Sequence, residues 1–396
     1  MTDARTYLDY ASSTPLRNAA RAASVEALET FGDPLRIHHD GRAARRSLEE
    51  ARATFAAGLG AQPDEIVFTS GGTESVSLAI WGGVRAIREL GTRIVVGDIE
   101  HPAVFGVGHA LETDGFEVIR VPVDAAGQVD LDRFAAEVRR PGTLLASLQH
   151  ANHEIGTMQP IGEAARLCRE AKVLFHTDAC QTVGRLPVDV TRIGADLLSL
   201  SAHKFGGPPG VGVLYVRRGV GVAAYPCGDD RERKRRAGME NLPGIAGMTA
   251  AFTAALGEIK DEAARQWALT DRLRAGIAQR VPRASLHGHP TQRVPHIACA
   301  SIDGLDPETL MMAMDDRGFS IGGGSLCNGI PGDPSPVLDA IGVPATPSFP
   351  FSVGCDTTET AIDRFLDLLS ELVVELQGVE STSSEALSRF RAPGEG

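Results

Sequence analysis

Two apolar runs joined by a glycine- and proline-rich turn constrain the fold of this chain more than any other feature. The first run covers residues 195–200 and the second covers residues 211–216. The turn between them contains three glycines and two prolines, with a fourth glycine at 212, and it begins just after His203 and Lys204. Short apolar runs bounded by turn residues are typical of buried strands. The sequence therefore predicts two buried strands with a lysine at their junction.

Lys204 is the residue at this junction that most needs an explanation. Burying an ammonium group costs several kcal/mol unless the group is paired or its pKa falls, and a lysine with a lowered pKa is suited to Schiff-base chemistry. The alternative is a lysine that extends to solvent from a strand end. The other lysines lie at a helix end, in a charged run and on a charged helix face: Lys172, Lys234 and Lys260. Lys204 is therefore the candidate for covalent chemistry.

Composition narrows the class of protein. A chain of 396 residues is long enough to predict two domains, and 43% hydrophobic residues are typical of a soluble globular protein. The net charge of −12 argues against direct binding of nucleic acid. No uninterrupted apolar stretch approaches 18 residues, and the N-terminus lacks a signal-peptide pattern. We therefore expect a cytoplasmic protein that does not bind a membrane.

The cysteines and one basic run carry weaker signals. The six cysteines show no CxxC spacing, so neither a metal site nor a disulfide framework is indicated. Residues 231–236 contain five basic side chains. For this run we favour a solvated loop or an active-site flap over a nucleic-acid patch.

Strand and helix patterns alternate through the first two thirds of the chain. Apolar runs predict strands at residues 66–69, 93–96, 117–121, 143–148, 173–176, 196–200 and 211–216. Helical patterns fall at residues 17–31, 42–59, 103–114, 131–139 and 161–171. Such alternation indicates an α/β domain with a mainly parallel sheet, in which sites lie at the carboxyl ends of strands.

Polar residues follow several of these predicted strands. They supply an imidazole, carboxylates, amides, hydroxyls and a lysine, at Glu100, His101, Asn152, His153, Glu154, Asp178, Gln181, Ser201, His203 and Lys204. A glycine turn also leads into a helix start at Gly72 and Thr73, where free amide groups bind phosphate. Each residue alone could be a cap or a strand terminator. Together they predict a site at one edge of the sheet.

The pattern changes after residue 216. A helical stretch reaches residue 280, and shorter elements follow, with a strand at 297–302, a helix at 307–317 and a last helix at 358–376. We predict a large domain at 16–259, a small α+β domain formed by 1–15 and 260–378, and a flexible tail at 379–396. Cys327 lies in a Gly-Ser-rich loop of the small domain. A thiolate there is suited to nucleophilic work, although an inert exposed thiol is the alternative.

These motifs resemble the cysteine desulfurases, which are pyridoxal-phosphate enzymes of the class V aminotransferase group. The resemblance covers nearly the whole chain, and its strongest element is Ser201-Ala202-His203-Lys204 followed by Gly207-Pro208. The other motifs are Phe68 to Ser75, Glu100-His101, Asn152 to Gly156, Asp178 to Gln181, and Gly324-Ser325-Leu326-Cys327. The resemblance implies a fold type I transferase, with a seven-stranded sheet in the large domain.

The resemblance also implies roles for individual residues. Lys204 would bind pyridoxal 5′-phosphate as a Schiff base, Asp178 would pair with its ring nitrogen, and His101 would stack on the ring and act in acid–base steps. Gln181 would contact the ring hydroxyl. Cys327 would attack the sulfur of L-cysteine, releasing L-alanine and passing a persulfide to an acceptor protein. The phosphate would be held by Gly72, Thr73, Ser201 and His203.

The loop that carries Cys327 resembles that of family members with a long cysteine loop, which are homodimers, so the resemblance implies a homodimer.

This chain departs from the family pattern in three places. Pro350 stands where the family has an arginine for the substrate carboxylate, His153 replaces an asparagine, and Met239 replaces a threonine. We therefore hypothesise that His153, Arg36, His38 or His39 takes the place of the arginine, with Asn152 as a further substrate contact. The departures suggest a specialised branch of the family, and one candidate is the branch that supplies sulfur for DNA phosphorothioate modification. The other candidate pathway for the sulfur is general iron–sulfur assembly.

Two alternatives stay open at this point. One is a lyase or aminotransferase with the same cofactor and a different amino acid as substrate, and Cys327 speaks against it. The other is a catalytically impaired scaffold, for which Pro350 is the best support.

Overall fold

The computed structural model describes residues 5–323, 335–343 and 348–390. The strands within those ranges are β1 (Thr6–Leu8), β2 (Ile66–Thr69), β3 (Arg93–Gly97), β4 (Glu117–Val121), β5 (Thr143–Ser147), β6 (Leu174–Asp178), β7 (Leu197–Ser201), β8 (Gly212–Val216), β9 (Ala284–His287), β10 (Ile297–Ile302), β11 (Phe319–Ile321) and β12 (Phe349–Ser352).

The α-helices in the same ranges are α1 (Asn18–Leu28), α2 (His39–Leu59), α3 (Gly72–Ser77), α4 (Gly83–Ala86), α5 (Pro102–Thr113), α6 (Leu131–Val138), α7 (Ile161–Ala171), α8 (Val190–Ile193), α9 (Arg231–Lys234), α10 (Leu242–Arg280), α11 (Pro307–Asp316), α12 (Pro336–Ala340) and α13 (Glu359–Phe390). A π-helical turn joins α3 to α4.

Seven strands form one sheet in the order β2-β8-β7-β6-β5-β3-β4. β8 runs antiparallel to both of its neighbours, whereas the pairs from β7 to β4 are parallel. The prediction of a mainly parallel seven-stranded sheet is confirmed. The two apolar runs around the glycine turn are adjacent strands, β7 and β8, as the sequence predicted.

Helices cover both faces of this sheet. Successive residues of a strand point to opposite faces, so Val67 packs in the core beneath α3 and α5 while Phe68 packs in the core beneath α2 and α10. Phe55 of α2 stacks on Phe252 of α10 with ring centroids 4.4 Å apart. The sheet is therefore a buried layer, and polar groups reach solvent or ligands only at its edges.

A second core surrounds the smaller sheets, β12-β10-β9 and β1-β11. α10 connects the two cores, because Met248 and Phe252 pack against the large sheet and Leu269 and Leu273 pack in the second core. The domain boundary predicted at residue 260 falls inside this helix, and the division into domains stays a prediction. α10 is long and apolar enough to span a membrane by length and composition, yet one of its faces packs against both cores.

The basic run at 231–236 is not the solvated loop that the sequence predicted. Arg231 is buried among three carboxylates, with N–O distances of 2.7 to 2.9 Å to Asp33, Asp229 and Glu240. Glu232 is also buried and accepts two hydrogen bonds of 2.8 Å from Arg52. Two of these partners, Asp33 and Arg52, are 198 and 180 residues away in sequence, so the local run of charges could not reveal them.

The same segment supports the glycine turn that follows β2. Arg236 donates to Glu74 of α3 at 2.8 Å, and the Glu74 carboxylate accepts from the amide of Ser70 at the same distance. These contacts fix the start of α3, where Gly72 and Thr73 lie. The last helix also differs from the prediction, because α13 continues past residue 376 to Phe390 and so includes much of the predicted tail.

Candidate active site

The carboxyl ends of the parallel strands bring the predicted polar residues to one edge of the sheet. β6 ends at Asp178, and β7 ends at Ser201, just before His203 and Lys204. The register pairs Asp178 with Ser199, so the two strands end almost side by side. Because the backbones of neighbouring parallel strands end together, residues far apart in sequence meet here.

A cavity of about 150 Å³, which we call the inner cavity, lies at this edge. All eight residues predicted to bind a cofactor line it: Gly72, Thr73, His101, Asp178, Gln181, Ser201, His203 and Lys204. Gln149, Ala151, His153 and Cys180 also contribute to the wall. The structure therefore places the whole predicted set around one space.

A second cavity of about 460 Å³, the outer cavity, adjoins the first. His101, His153 and Lys204 line both cavities, so the two spaces share a wall. The outer cavity is also bounded by Gly323 and Pro350 of the smaller sheets' region. A molecule in the outer cavity would lie next to the groups that line the inner one.

The N-terminal arm holds the amine of Lys204. Nζ donates to the carbonyl oxygens of Ala11 at 2.6 Å and Ser12 at 2.8 Å. Arg185 donates to the backbone oxygen of Lys204 at 2.9 Å, and this bond fixes the backbone of the turn that follows β7. Lysine at this strand end is thus hydrogen-bonded within the protein rather than extended into solvent.

His101 has a defined orientation because it caps α5. Its Nδ1 accepts from the amide of Ala103 at 3.1 Å, so the neutral ring carries its proton on Nε2. Burial lowers the pKa of His101, with the charge of Lys204 acting in the same direction and that of Asp178 opposing it. The ring lies edge-to-face with that of His153, with centroids 5.2 Å apart.

His153 is an uncharged imidazole in this setting. Its pKa is lowered to about 3, chiefly by burial, with the nearby His101 and Lys204 acting in the same direction. Its Nδ1 is buried and has no hydrogen-bond partner in the part of the chain that the structure describes. A neutral ring cannot replace the positive charge of an arginine, but it can exchange one hydrogen bond with a ligand.

The structure does not bring two of the predicted substrate contacts to the cavities. Asn152 is fully buried, and its amide group binds the carbonyl of Ile99 and the NH groups of Glu154 and Ile155 at 2.8 to 2.9 Å. Arg36 is exposed and pairs with Asp33, away from both cavities. In a single copy of the chain neither residue lines a cavity, because one shapes its own loop and the other faces outward, so their contact with substrate stays a prediction. His38 and His39 are exposed as well.

Cys327 lies outside the described residues. Pro350, the departure from the family arginine, lines the outer cavity and pairs with Cys299 in the small sheet. Glu154, which the sequence placed among the polar residues of the site, lines the same cavity, and so does Asp9, which sequence reasoning missed. Burial raises the pKa of Asp9 to about 6, with Lys204 acting in the opposite direction. Asp9 lies in the short strand-like segment Tyr7-Leu8-Asp9-Tyr10, and nothing in the spacing of that segment assigns it to the site.

The backbone around Gly72 lies unusually close to the cavity wall. A Cβ atom there would lie 2.8 Å from Sγ of Cys180 and 3.3 Å from Cβ of Ser201. A larger residue at position 72 would therefore have to displace Cys180, and amide groups in the first turn of a helix are the groups that bind phosphate. Asp178 is held by the amide of Cys180, which donates to its Oδ1 at 2.9 Å.

Comparisons with known proteins agree with this architecture. The model of the family described as aminotransferase class-V matches residues 6–365. The cysteine desulfurase IscS of Dictyoglomus turgidum is 41% identical over 383 residues, covering 96% of this chain and 97% of its own. A solved NifS-like protein superposes with a TM-score of 0.87 at 31% identity, covering 94% of this chain and all of its own. The structure of SspA in complex with cysteine gives a TM-score of 0.76 at 30% identity, covering 88% of this chain and 98% of its own.

The chain belongs to the class-V aminotransferase family, and its relatives in that family are named cysteine desulfurases. Members of this family depend on pyridoxal phosphate, and so does this protein. The inner cavity fits that cofactor in its donor set. It offers a carboxylate, an aromatic ring, a lysine amine and the amide groups of a helix start that no side chain covers.

The strand that ends in Asp178 also carries a buried histidine that should make the apoprotein sensitive to acid. His176 lies between the hydroxyl groups of Ser147 at 2.8 Å and Ser199 at 2.9 Å. Burial lowers its pKa to about 4, from an ordinary value of 6.5. The unfolded chain therefore binds more protons between pH 6.5 and pH 4, and stability falls as the pH drops through that window.

We expect the substitution His176→Asn to remove this contribution. From pH 7 to pH 4 the unsubstituted protein should lose about 3 kcal/mol more of its free energy of unfolding than the variant does. This value follows from the lowered pKa of His176 at about 1.4 kcal/mol per pKa unit. Urea unfolding of the apoprotein across this range measures it. His109→Asn, at an exposed position, should run parallel to the unsubstituted protein. Parallel curves for His176→Asn would contradict the assignment.

Proposed function

We propose that this protein removes sulfur from L-cysteine, with Lys204 holding pyridoxal phosphate and Cys327 receiving the sulfur. The products are L-alanine and a persulfide on Cys327, which then passes to an acceptor protein. The observation that carries the proposal is the shared wall of the two cavities, where Lys204 and His101 face both spaces and Gly323 bounds the outer one. The names of the relatives and the cysteine-bound neighbour support the same substrate.

The residues of the inner cavity would hold the cofactor by complementary groups. Asp178 would pair with a protonated ring nitrogen, His101 would stack on the ring, and Gln181 would contact its hydroxyl. The phosphate would bind at the start of α3, together with Ser201 and His203. When bound, pyridoxal phosphate supplies an electron sink for negative charge that develops at the α-carbon of the substrate.

The amine of Lys204 is the group that would move a proton at the substrate α-carbon. It is held at the junction of the two cavities by the carbonyl oxygens of Ala11 and Ser12, both of which line the outer cavity. His101 carries its proton on Nε2 and is neutral, so it can donate one hydrogen bond without adding positive charge.

The chain itself limits how far Cys327 lies from the substrate space. Gly323 lines the outer cavity, and Cys327 follows it by four residues. Four residues span about 14 Å at most when fully extended, which is an upper limit on the distance between the Cα atoms of Gly323 and Cys327. In the sulfur-transfer step the thiolate attacks the substrate sulfur. A sulfur–sulfur bond forms, and the bond from Cβ to sulfur breaks with its electron pair left on the carbon skeleton, which gains protons to become alanine.

Two substitutions test the proposal directly. Lys204→Ala should abolish the absorbance of the covalently bound cofactor, because no other lysine lines either cavity in the described residues. Cys327→Ser should keep that absorbance but form no alanine and no persulfide. Absorption spectra, alanine assays and mass spectrometry of trapped persulfide measure these effects.

Matched controls separate the alternatives. Lys172→Ala and Cys355→Ser change the same residue types at positions outside both cavities, and Cys355 is exposed. Both should behave as the unsubstituted protein. Undiminished alanine release by Cys327→Ser would favour a lyase, and failure of the unsubstituted protein to bind pyridoxal phosphate would favour a scaffold.

We further propose that the neutral ring of His153 donates or accepts a hydrogen bond with the bound cysteine. This bond would take the place of the contact that the family makes with an arginine, where this chain has Pro350. His153→Ala should raise the KM for cysteine about 2- to 12-fold, because a neutral hydrogen bond contributes about 0.5–1.5 kcal/mol. The kcat should change less, since the bond forms in the ground state too. Steady-state kinetics measure both, with the exposed His109→Ala as control; an unchanged KM would refute the contact.

An exposed apolar patch supports the expected homodimer. Leu28, Phe31, Leu35 and Ile37 lie close in sequence and are exposed, with Phe31 at 82% and Ile37 at 89%. Large apolar side chains gathered in this way mark association surfaces. Arg36, on the same segment, would reach a substrate cavity only in a second copy of the chain. We propose that this patch, 28–37, is part of the dimer interface.

Ile37→Asp should therefore shift the protein from dimer to monomer. A carboxylate in the interface must lose its hydration without a partner, which costs several kcal/mol. Sedimentation velocity measures the oligomeric state. Val374→Asp, at a position of α13 that is 60% exposed, is the control and should leave the dimer intact. A dimeric Ile37→Asp variant would exclude the patch.

The acceptor protein defines the pathway, for which iron–sulfur assembly and DNA phosphorothioate modification are the two candidates from the sequence. Mixing persulfidated protein with candidate acceptors and following the sulfur by mass spectrometry identifies it.

A further inference from the structure

Glu154 is a buried carboxylate that the proposed chemistry does not use. Its side chain forms part of the wall of the outer cavity, and only 2% of the residue is exposed. The loop before it is rigid, because the amide oxygen of Asn152 accepts from the NH groups of Glu154 and Ile155, each at 2.8 Å. The position of this carboxylate is thus set by its own loop.

Two serine hydroxyl groups donate to one oxygen of this carboxylate. The donors are Ser335 and Ser348, and both are buried. Ser335 also caps α12, since its Oγ accepts from the amide of Leu338 at 3.1 Å. A single oxygen therefore ties together three stretches of chain that are separated by more than ten residues in sequence.

The two serines stand at positions that matter for the proposed transfer. Ser335 follows Cys327 by eight residues, and Gly323 precedes Cys327 by four. Gly323 lines the outer cavity, and Ser335 bonds Glu154, which lines it as well, so the described residues on both sides of Cys327 in sequence are tied to this cavity. Ser348 leads directly into β12, which carries Pro350.

Burying the Glu154 carboxylate at this position costs hydration free energy. Glu154 forms no ion pair with Arg, Lys or His among the described residues, and burial raises its pKa while the two serine hydrogen bonds act in the opposite direction. A buried anion without a cation must be compensated by hydrogen bonds or it destabilises the fold. An apolar side chain would fill the space at lower cost but could not accept from two hydroxyl groups. The carboxylate is therefore suited to holding Ser335 and Ser348.

We propose that Glu154 is a positioning residue for sulfur transfer, because it anchors Ser335 and Ser348 to the wall of the outer cavity and so restrains the chain that carries Cys327. The inference rests on the proposed function. In this role Glu154 acts through the two serines and takes no part in forming the sulfur–sulfur bond. It does not line the inner cavity. Its loss should slow persulfide formation while cofactor and substrate binding persist.

Full-length holoenzyme with Glu154→Ala tests this separation. The cofactor absorbance and the cysteine concentration that half-saturates the spectral change should stay within 2-fold of the unsubstituted protein. The single-turnover rate of persulfide formation on Cys327 should fall at least 10-fold. Amide hydrogen exchange in residues 335–343 should accelerate, because the cap of α12 loses its anchor.

Further variants distinguish positioning from general destabilisation. Ser348→Ala removes one donor and leaves the α12 cap in place, so it should slow persulfide formation in the same direction. Glu154→Gln keeps an acceptor oxygen and should recover at least a third of the unsubstituted rate. Ser301→Ala is the matched control: it removes a buried serine that bonds His287 at 2.7 Å in the adjacent strands, with no link to Glu154, and should leave the rate unchanged.

The outcomes separate this inference from the proposed function. Persulfide formation at the control rate in Glu154→Ala and Ser348→Ala would overturn the positioning role while leaving Cys327 as the sulfur acceptor. An equal loss in Ser301→Ala would also overturn it, because the effect would then be general. No persulfide on Cys327 in the unsubstituted protein would refute the proposed function, and the inference with it. If Glu154→Ala fails to fold, Ser348→Ala and Glu154→Gln decide the question.

Discussion

The site depends on one constraint: parallel strands in a buried sheet all present their carboxyl ends at the same edge. The pairing of β6 with β7 sets Asp178 beside the end of the strand that leads to Lys204. β8 then returns antiparallel, so the turn after Lys204 stays at this edge as well. Helices cover both faces of the sheet, and the edge is where polar groups of the sheet can meet a ligand.

Burial decides the charge state of the groups that meet there. The pKa values of His101, His153 and His203 are all lowered, chiefly by loss of hydration. The rings therefore contribute hydrogen bonds and aromatic surface rather than charge at neutral pH. The amine of Lys204 and the nearby carboxylates then carry the electrostatics of both cavities, and an uncharged surround strengthens their interactions.

The regular elements could be read from the sequence because each has a strong local pattern. α7 and β10 have the predicted bounds, and the strands of the large sheet agree within two residues. The prediction failed where the pattern was ambiguous. The polar end of α13 resembled a tail because it lacks an apolar stripe in the sequence. The basic run at Arg231 resembled a solvated loop because its carboxylate partner Asp33 is almost two hundred residues away.

For the site, the sequence by itself determined which residue types stand at the ends of the strands, and this was enough to assemble the inner cavity around Lys204 and Asp178. Only the tertiary structure decided how each side chain is used. Asn152 hydrogen-bonds within its own loop, and Arg36 faces outward and pairs with Asp33. The N-terminal arm holds Nζ of Lys204, and Glu154 is hydrogen-bonded to Ser335. Residue spacing encodes local periodicity, whereas the contacts of Lys204 with Ala11 and of Glu154 with Ser335 join positions 193 and 181 residues apart, which no local pattern contains.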